Sequence, residues 1–466
     1  MDAGSSSPPP PLRIVIFPWL AFGHLLPYLE LAQRLASRGH HVSFVSTPGN
    51  VARFPPLRAA VDLVALPLPH VDGLPDGAES TNTVPHDKMG LLFAAFDGLA
   101  APFAEFLAAA PDWVILDCFH HWAAAAGGEH KVIISIATAQ HPAAAGLGLA
   151  LLCLQVPLAM LLPTAAAMAE TPAAGVVPRY ELERKAQFHI DHGGGMSISQ
   201  RFAFVFERCA IAAMRSCDEW EPEFFPHVAA RLRKHLVVPL GLLPPPPSPS
   251  VAAGDDAMMM RWLDVQPPGS VLYVALGSEV PLPVAQVHEL AHGLELAGTR
   301  FLWALRKPSD VVVSDAGDIL PPGFHERTHT QWGFITMGWA PQISILGHAA
   351  VGAFLTHCGQ SSIIEGLLFG RPLIMLPMFG DQGPNARLME GKKVGLQVTR
   401  DEDDGSFDRH GVASAIRAVM LEEETRGVFV GNAMKMQRIA ADKELHERCV
   451  DEFVQQLRSH TANGTE

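Results

Sequence analysis

The sequence carries little charge for its length and has no run of basic residues. Charged residues make up 18% of the 466, and the formal net charge is −14. A nucleic-acid-binding face needs clustered lysine and arginine to neutralise phosphates, so we expect no nucleic-acid partner. Because 48% of the residues are hydrophobic, the composition is that of a globular protein and not of a disordered one. The length exceeds one ordinary hydrophobic core, so two domains are expected.

Cysteine is scarce and shows no C-x-x-C spacing. The six cysteines are scattered along the chain, a pattern that favours reduced and mostly buried thiols over a disulfide or zinc framework. The opening segment MDAGSSSPPPPL has neither a basic region nor an apolar one, so it does not resemble a secretory signal. We therefore expect a cytoplasmic protein whose residues 1–11 form a disordered tail.

One long hydrophobic run, Pro142 to Ala169, needs to be weighed as a membrane segment. It is long enough to cross a bilayer. However, Pro157, Pro163 and Gln155 interrupt it, and it lacks flanking aromatic and basic anchors. One or two buried helices, or the wall of an apolar pocket, explain it better, so we expect no membrane span.

The motifs of three other classes of site are incomplete. The segment H-G-G-G at 192–195 resembles an esterase oxyanion loop, but the chain has no G-x-S-x-G nucleophile elbow. Neither half has a G-x-G-x-x-G followed by a suitably placed acidic residue, which disfavours an NAD-dependent oxidoreductase. The spacing of Asp117, His120 and His121 is not a common ligand set, so no metal is expected.

Apolar strands and helical segments alternate along both halves of the chain. In the first half, the strand Leu12 to Phe17, the helix Leu25 to Ser37 and the strand His41 to Thr47 form a β-loop-α-β unit, which implies a parallel sheet. The Pro- and Ser-rich segment Gly241 to Ala257 has the composition of a linker. We therefore predict an α/β protein with two Rossmann-like domains, 12–240 and 258–445. A C-terminal helix, 446–466, is expected to pack back on the first domain.

The most informative stretch runs from Trp339 to Gln382. A buried strand, VGAFLTHC, leads through a Gly turn to Ser362 and Glu365, which have the S-x-x-E spacing of a helix capping box. Free backbone N–H groups at a helix start attract anions. The next strand, PLIMLP, is followed by Asp381 and Gln382, at the strand end where open α/β sheets bind ligands. These features predict a site for a phosphate-containing and hydroxyl-rich ligand.

The same stretch resembles the signature box of plant family-1 UDP-dependent glycosyltransferases, which have the GT-B fold. The shared motifs are W-x-P-Q, H-C-G, S-x-x-E-G and the closing D-Q. Two positions depart from the family's H-C-G-W-N-S, because Gln360 replaces a Trp and Ser361 an Asn. The resemblance implies a donor site without a metal or other cofactor. In that site Trp339 stacks on uracil, Gln342 contacts the uracil edge or ribose, and Glu365 binds the ribose. Asp381 and Gln382 bind the sugar hydroxyls, and the residues around the diphosphate and sugar are Ser278, His357, Gly359, Gln360, Ser361 and Ser362.

Two residues in the first half resemble the family's catalytic pair. His24 lies in F-G-H-L-L-P, and Asp117 follows the buried strand WVIL in I-L-D-C-F. The resemblance implies that His24 is the general base and that Asp117 fixes its tautomer and stabilises the imidazolium. A lone histidine is more often structural, so this role depends on the family motif.

Two further segments, A-L-G-S-E-V-P and G-L-P-D-G-A-E-S-T, resemble the family-91 branch, whose members often add a sugar to a sugar already present on a glycoside. The resemblance implies an inverting enzyme that transfers glucose from UDP-glucose to a terpenoid (steviol-type) or flavonoid glycoside and forms a 1,2-linked disaccharide. Ala143 to Ala169 is then expected to line the acceptor pocket, and the protein to be a monomer. Glycosylation of a bare aglycone remains open, as does a catalytically weak nucleotide-sugar-binding protein.

Overall fold

The computed structural model describes most of the chain. The described residues are 9–108, 111–124, 148–153, 177–191, 195–206, 211–222, 236–247, 254–277, 282–306, 319–328 and 332–463.

The first half forms a parallel sheet with seven strands in its described part. The spatial order is β3-β2-β1-β4-β5-β6-β7, and every neighbouring pair is parallel. Its central strands are apolar apart from Arg13 at the start of β1, as expected for a sheet covered on both faces. The strands are β1 Arg13–Phe17, β2 His41–Ser46, β3 Val61–Ala65, β4 Trp113–Leu116, β5 Gly148–Cys153, β6 Ile211–Met214 and β7 Leu236–Pro239.

The second half forms another parallel sheet, with six strands in its described part. The order is β10-β9-β8-β11-β12-β13. The strands are β8 Val271–Ala275, β9 Arg300–Leu305, β10 Gly333–Met337, β11 Val351–Thr356, β12 Leu373–Met375 and β13 Gly395–Gln397.

Helices connect the strands of both sheets. The described α-helices are α1 Phe22–Ser37, α2 Pro48–Val51, α3 Met89–Asp97, α4 Ala100–Leu107, α5 Arg179–Gln187, α6 Ile198–Phe206, α7 Gly254–Asp264, α8 Val284–Ala297, α9 Phe324–Thr328, α10 Gln342–Gly347, α11 Gln360–Leu368, α12 Gln382–Gly391, α13 Arg409–Met420, α14 Glu423–Ala440 and α15 Lys443–Asn463. Short 3-10 helices lie at Thr81–Thr83, His86–Lys88 and His121–Ala124.

Three details differ from the sequence-based expectations. Gly148–Cys153, within the apolar run expected to be helical, is instead a strand between β4 and β6, because its residues complete the ladder of a buried sheet. The rest of that run, including most of the expected pocket wall, lies outside the described residues. Helix α7 begins at Gly254, inside the segment expected to be linker. The capping box is also absent, because α11 begins at Gln360 with Gly359 as N-cap and no side-chain cap.

The last helix, α15, packs on the first sheet although it follows the second in sequence. Val450, Phe453 and Leu457 are buried in the same hydrophobic cluster as β1 and α1. The indole Nε1 of Trp113 on β4 donates a hydrogen bond to the backbone oxygen of Leu457, at 3.2 Å. The hydrophobic core of the first domain is therefore built from both ends of the chain.

The segment Met89–Leu107 is long and apolar enough to be a candidate membrane span by length and composition. In the structure it divides near Gly98 into α3 and α4. Phe96 and Phe103 are fully buried and pack in the hydrophobic core of the first domain. Core helices of globular proteins often pass the same test, and this packing accounts for the apolar composition.

Both sheets reverse their strand order at one point, and the polar residues of interest follow these strands. In the first sheet β1 lies between β2 and β4, and in the second β8 lies between β9 and β11. The carboxyl ends of the strands at such a switch point form a crevice that binds ligands in α/β proteins. His24 follows β1, Asp117 follows β4 and His357 follows β11.

Candidate active site

His24 and Asp117 are in direct contact. Nδ1 of His24 lies 2.6 Å from Oδ2 of Asp117. They follow neighbouring strands, because His24 lies in α1 after β1, Asp117 directly follows β4, and β1 pairs with β4 in register from Ile14–Trp113 to Phe17–Leu116. The pairing predicted from the sequence is therefore present as a hydrogen bond.

Asp117 is held as an ionised carboxylate. Its side chain is 2% exposed, and its oxygens accept hydrogen bonds from the backbone N–H groups of Trp19 and Cys118, at 3.0 and 2.7 Å. Burial raises its pKa, but attraction to His24 and the hydrogen bonds outweigh burial and lower the pKa to about 2. An ionised carboxylate only accepts hydrogen bonds, so Nδ1 of His24 must carry the proton, and in the neutral imidazole Nε2 is then the basic nitrogen.

Aromatic side chains form the surroundings of this pair. The ring of Phe119 lies 6.4 Å from the ring of His24, and Trp19 contacts Phe119 edge-on at 5.1 Å. Trp19 also stacks on Phe93 at 4.6 Å. His24 itself is 16% exposed, so its imidazole remains accessible. The arrangement places a base beside an apolar aromatic surface, where a hydroxyl of an apolar acceptor can be deprotonated.

His120, next to this pair, has no catalytic geometry. It is fully buried among Phe17, Phe96 and Trp122, and its Nδ1 lies 3.2 Å from the backbone oxygen of Asp117. Burial lowers its pKa to about 4. Within the described part of the chain, no group of three or more His, Cys, Asp or Glu side chains could hold a metal ion.

In the second domain, Trp339 is open to solvent. It is 63% exposed, which is unusual for a tryptophan, and its ring contacts Phe22 of the first domain at 6.5 Å. The guanidinium of Arg53 lies 4.0 Å above the Phe22 ring. An exposed indole beside the carboxyl ends of the second sheet offers a stacking surface for a planar ring.

Gln342 and Glu365 form one hydrogen-bonded unit. Nε2 of Gln342 donates to Oε2 of Glu365 at 2.6 Å, and its Oε1 accepts from the hydroxyl of Tyr273 at 3.3 Å. Burial raises the pKa of Glu365, against the opposing influence of the Gln342 hydrogen bond and the charge of Arg215. Glu365 therefore does not cap α11, as its spacing had suggested; it faces Gln342 on α10.

The turn before α11 is tightly packed around His357. The imidazole lies between Gly277 and Gly359, and a Cβ at either glycine would come within 2.6 Å of its Nε2. Cys358, between His357 and Gly359 in the chain, has a φ of 69°, in the left-handed region that a non-glycine residue seldom occupies. Nδ1 of His357 is buried without a partner in the described residues, and burial lowers its pKa to about 4. A neutral imidazole is therefore held against the start of the helix.

Asp381 and Gln382 form the start of α12. Oε1 of Gln382 accepts from the backbone N–H groups of Met378 and Phe379, at 2.8 and 2.9 Å, so its amide closes the preceding loop. Oδ2 of Asp381 accepts from Nδ2 of Asn385 at 2.8 Å. The same Nδ2 lies 3.0 Å from the backbone oxygen of Cys358, which joins this loop to the turn before α11.

The two departures from the family pattern contact the first domain. Gln360 is buried, and its Nε2 donates to the backbone oxygen of Arg215 at 2.8 Å. Oγ of Ser361 accepts from Nη1 of Arg215 at 2.8 Å. Ser362 is half-buried in the first turn of α11, and Ser278 lies outside the described residues. Sequence reasoning missed Arg215; its position in M-R-S-C, directly after β6, was the available signal.

Comparison with known proteins shows the family to which this chain belongs. The family model described as UDP-glucoronosyl and UDP-glucosyl transferase matches residues 252–452. UDP-glycosyltransferase 91C1 of Arabidopsis thaliana is 38% identical over 97% of this chain and 98% of its own length. The chain belongs to the UDP-glycosyltransferase family. It is a plant family-1 enzyme of the family-91 branch, and the resemblance seen in its sequence is confirmed.

Two further relatives are similar to this chain over nearly its full length. UDP-glycosyltransferase 91D2 of Stevia rebaudiana is 37% identical over 97% of this chain and 95% of its own length. Cyanidin 3-O-galactoside 2''-O-xylosyltransferase FGGT1 of Actinidia chinensis var. chinensis is 31% identical over 96% of this chain and 98% of its own. The latter name describes transfer of a sugar to a glycoside.

Solved structures confirm the predicted GT-B fold. The crystal structure of Arabidopsis thaliana UGT89C1 complexed with UDP-L-rhamnose aligns with a TM-score of 0.74 at 23% identity, over 96% of this chain and all of that chain. The structure of Glycyrrhiza uralensis UGT73P12 complexed with glycyrrhetinic acid 3-O-monoglucuronide aligns with a TM-score of 0.75 at 22% identity, over 98% and 97% of the two chains.

Proposed function

We propose that this UDP-glycosyltransferase transfers glucose from UDP-glucose, with inversion, to a hydroxyl of the sugar in a terpenoid or flavonoid glycoside, forming a 1,2 linkage. The observation that carries the chemistry is the 2.6 Å contact between His24 and Asp117, which orients a base beside an apolar surface. The glycoside acceptor is supported by the family-91 relatives and by the name of the cyanidin 3-O-galactoside xylosyltransferase.

In the reaction, Nε2 of His24 takes the proton of the acceptor hydroxyl as its oxygen attacks the anomeric carbon. A new bond forms between that oxygen and the carbon, and the bond from the carbon to the diphosphate oxygen breaks, releasing UDP. The imidazolium formed is stabilised by the Asp117 carboxylate, whose pKa of about 2 keeps it ionised throughout. General base catalysis of this kind contributes about 10²- to 10⁴-fold.

The second domain supplies the donor site. Trp339 is the stacking surface for uracil, and the Gln342–Glu365 unit offers amide and carboxylate groups to the ribose. The N-terminus of α11, with Ser361, Ser362 and His357 beside it, meets the diphosphate, where preorganised donors stabilise the charge of departing UDP. Asp381 and Gln382 then bind hydroxyls of the transferred sugar. No step requires a metal in this scheme.

Product analysis by mass spectrometry tests the proposal. UDP-glucose is supplied with a panel of terpenoid and flavonoid monoglucosides and with the corresponding bare aglycones. Gain of one hexose on the glycosides alone supports transfer to a sugar, and linkage analysis then identifies the hydroxyl. Transfer to the aglycones alone keeps the enzyme class and overturns the acceptor assignment.

A second function, binding of nucleotide sugars with weak or no catalysis, is favoured by one observation. Gln360 stands where the family has a tryptophan, and its side chain contacts Arg215 of the other domain. Absence of transfer from any UDP-sugar by a chain that still binds UDP would select this alternative.

A further inference from the structure

Arg215 is a buried residue of the first domain that contacts the second. It follows β6, and 2% of it is exposed. Its Nε donates to the backbone oxygen of Leu242 at 2.7 Å, and its Nη2 lies 3.4 Å from that of Leu243. The remaining hydrogen bond of the guanidinium among the described residues is from Nη1 to Oγ of Ser361, at 2.8 Å, in the first turn of α11.

The charge of this guanidinium has no direct counter-ion among the described residues. Its hydrogen-bond partners there are carbonyl oxygens and a hydroxyl, all of them neutral. Burial lowers the pKa of Arg215 to about 10, so the group is still protonated at neutral pH. Glu365 attracts it through space but is hydrogen-bonded to Gln342. A buried charge with neutral partners alone is costly, and the cost falls when an anion comes near.

The neighbouring helix terminus also carries positive potential. The N-cap of α11, Gly359, has no side-chain cap, so the first backbone N–H groups of the helix lack partners within it. The helix dipole adds partial positive charge at the same end. Arg215 therefore adds a full charge to a place that already favours an anion.

The direction of the hydrogen bond determines what Ser361 can do. Because Oγ of Ser361 accepts from Arg215, its own hydrogen remains available to a second partner. A hydroxyl that accepts from a cation is polarised and becomes a stronger donor. Gln360 contacts the backbone of the same arginine, because its Nε2 donates a hydrogen bond to the backbone oxygen of Arg215. Two consecutive residues of α11 thus fix one residue of the first domain.

We propose that Arg215 is a positioning residue for the donor: through Ser361 it directs a polarised hydroxyl and a buried positive charge at the diphosphate of the UDP-sugar. The inference rests on the proposed function, because it takes the diphosphate to bind at the start of α11. It also explains the two departures from the family pattern as a matched pair, since Gln360 and Ser361 are the residues that contact Arg215.

Titration calorimetry of the full chain with UDP and with uridine tests the inference, because uridine lacks the diphosphate. We expect Arg215→Met and Ser361→Ala each to weaken UDP binding by about 10- to 100-fold, the loss of a hydrogen bond with a charged partner. Uridine affinity should change by less than about twofold. Since Arg215 acts in part through Ser361, the loss of UDP affinity in the double variant should be smaller than the product of the two single losses.

A matched control is available at the other end of the same helix. Arg371 follows α11 and also donates to two backbone oxygens, those of Leu346 and His348, at 2.8 and 3.0 Å. Arg371→Met should lower the melting temperature and leave UDP affinity unchanged. If Arg215→Met does not fold, Ser361→Ala and Arg215→Lys still test the inference, because both variants keep a positive charge at position 215.

Three results overturn the inference. One is UDP affinity unchanged in both single variants while the wild type binds UDP. Another is an equal loss of UDP and uridine binding, which would make Arg215 merely structural. The third is a double variant in which the two losses multiply. A wild-type chain that binds no UDP overturns the donor assignment itself, and that outcome is distinct from the other three.

Discussion

The guanidinium of Arg387 donates to both carboxylate oxygens of Glu181, with Nη1 2.8 Å from Oε1 and 2.9 Å from Oε2. Glu181 lies on α5, from the first half of the chain, and Arg387 lies on α12, which begins at Gln382. Arg184, one turn further along α5, donates to the backbone oxygen of Met378 at 2.8 Å. Helix α5 therefore holds the loop that carries the predicted donor-sugar residues.

Loss of this ion pair is expected to destabilise the protein strongly. The two side chains are 8% and 11% exposed, and Nε and Nη2 of Arg387 have no other partner in the described residues. Glu181→Ala should lower the free energy of unfolding by about 3 kcal/mol, because it leaves a buried charge uncompensated. Urea unfolding measures this change.

A neighbouring exposed pair provides the control for that experiment. Glu183 and Arg179 lie on the same helix, 61% and 69% exposed, and form an i,i+4 ion pair at 2.9 Å. Glu183→Ala should change the free energy of unfolding by less than about 0.5 kcal/mol. Equal effects of the two substitutions would contradict the role given to Glu181.

The proposed catalytic pair, His24 and Asp117, makes a prediction about turnover and binding. His24→Ala should reduce kcat by about 10²- to 10⁴-fold, because the acceptor hydroxyl loses its base. Asp117→Asn should also reduce kcat, since an amide neither fixes the imidazole tautomer nor stabilises the imidazolium. UDP affinity should be unchanged in both, as calorimetry can show. His41→Ala, at an exposed position, is the control. Full turnover by His24→Ala would exclude the proposed mechanism.

An exposed tryptophan allows binding to be separated from stability. Trp339→Ala should leave the melting temperature nearly unchanged, because the side chain is 63% exposed. It should weaken UDP binding about tenfold or more, the usual loss when an aromatic surface for a base is removed. Trp332 is the matched control, since it is 47% exposed and stacks on Arg300 away from the site. If both variants bind UDP equally well, Trp339 is not the uracil surface.

Acidification is expected to destabilise the folded protein through His120. Burial lowers its pKa to about 4, with Asp117 acting in the opposite direction and with His121 and His24 adding to the lowering. The unfolded chain takes up this proton near pH 6.5 and the folded chain only near pH 4, so stability is complete above pH 6.5 and falls with pH between these values. The slope is at most about 1.4 kcal/mol per pH unit for one histidine.

Urea unfolding at several pH values between 4 and 7 tests this slope. His120→Gln should unfold more easily at pH 7 yet show a shallower dependence on pH, since one titrating group is removed. Asp117 does not obscure the result: its lowered pKa of about 2 contributes stability that is lost only below about pH 3.9. His357, whose pKa burial also lowers to about 4, contributes in the same range, so the variant should keep part of the slope. An identical slope in the variant and the wild type would show that His120 does not contribute to it.

Periodicity and strand composition predicted the fold well, because strands buried on both faces leave a clear apolar signal. The predicted strands His41 to Thr47 and Gly333 to Met337 lie within a residue of those observed. Gly148–Cys153 was expected to be helical, since a run of Ala, Leu and Gly does not distinguish a buried helix from a buried strand. Only the pairing of this segment with β4 and β6 in the folded protein identifies it as a strand.

The site was predictable where function depends on residue type and spacing within one segment. The contact between His24 and Asp117 followed from the family motifs, although the residues lie far apart in sequence. Arg215 was not predictable, because its significance comes from contacts across two domains. For the same reason Ser362 and Glu365 suggested a capping box, whereas the partner of Glu365 is Gln342 on another helix.

Helix α15 has a practical consequence for exchanging parts between relatives. A chimaera that takes its second half from another enzyme by replacing everything after residue 253 would also replace Val450, Phe453 and Leu457, which fill the hydrophobic core of the first half. In such a chimaera, the last helix comes from a different parent than the first half, so its side chains no longer match the hydrophobic core in which they pack. A workable junction therefore has two cut points, one before α7 and one before Lys443, so that residues 443–463 stay with the parent of residues 9–247.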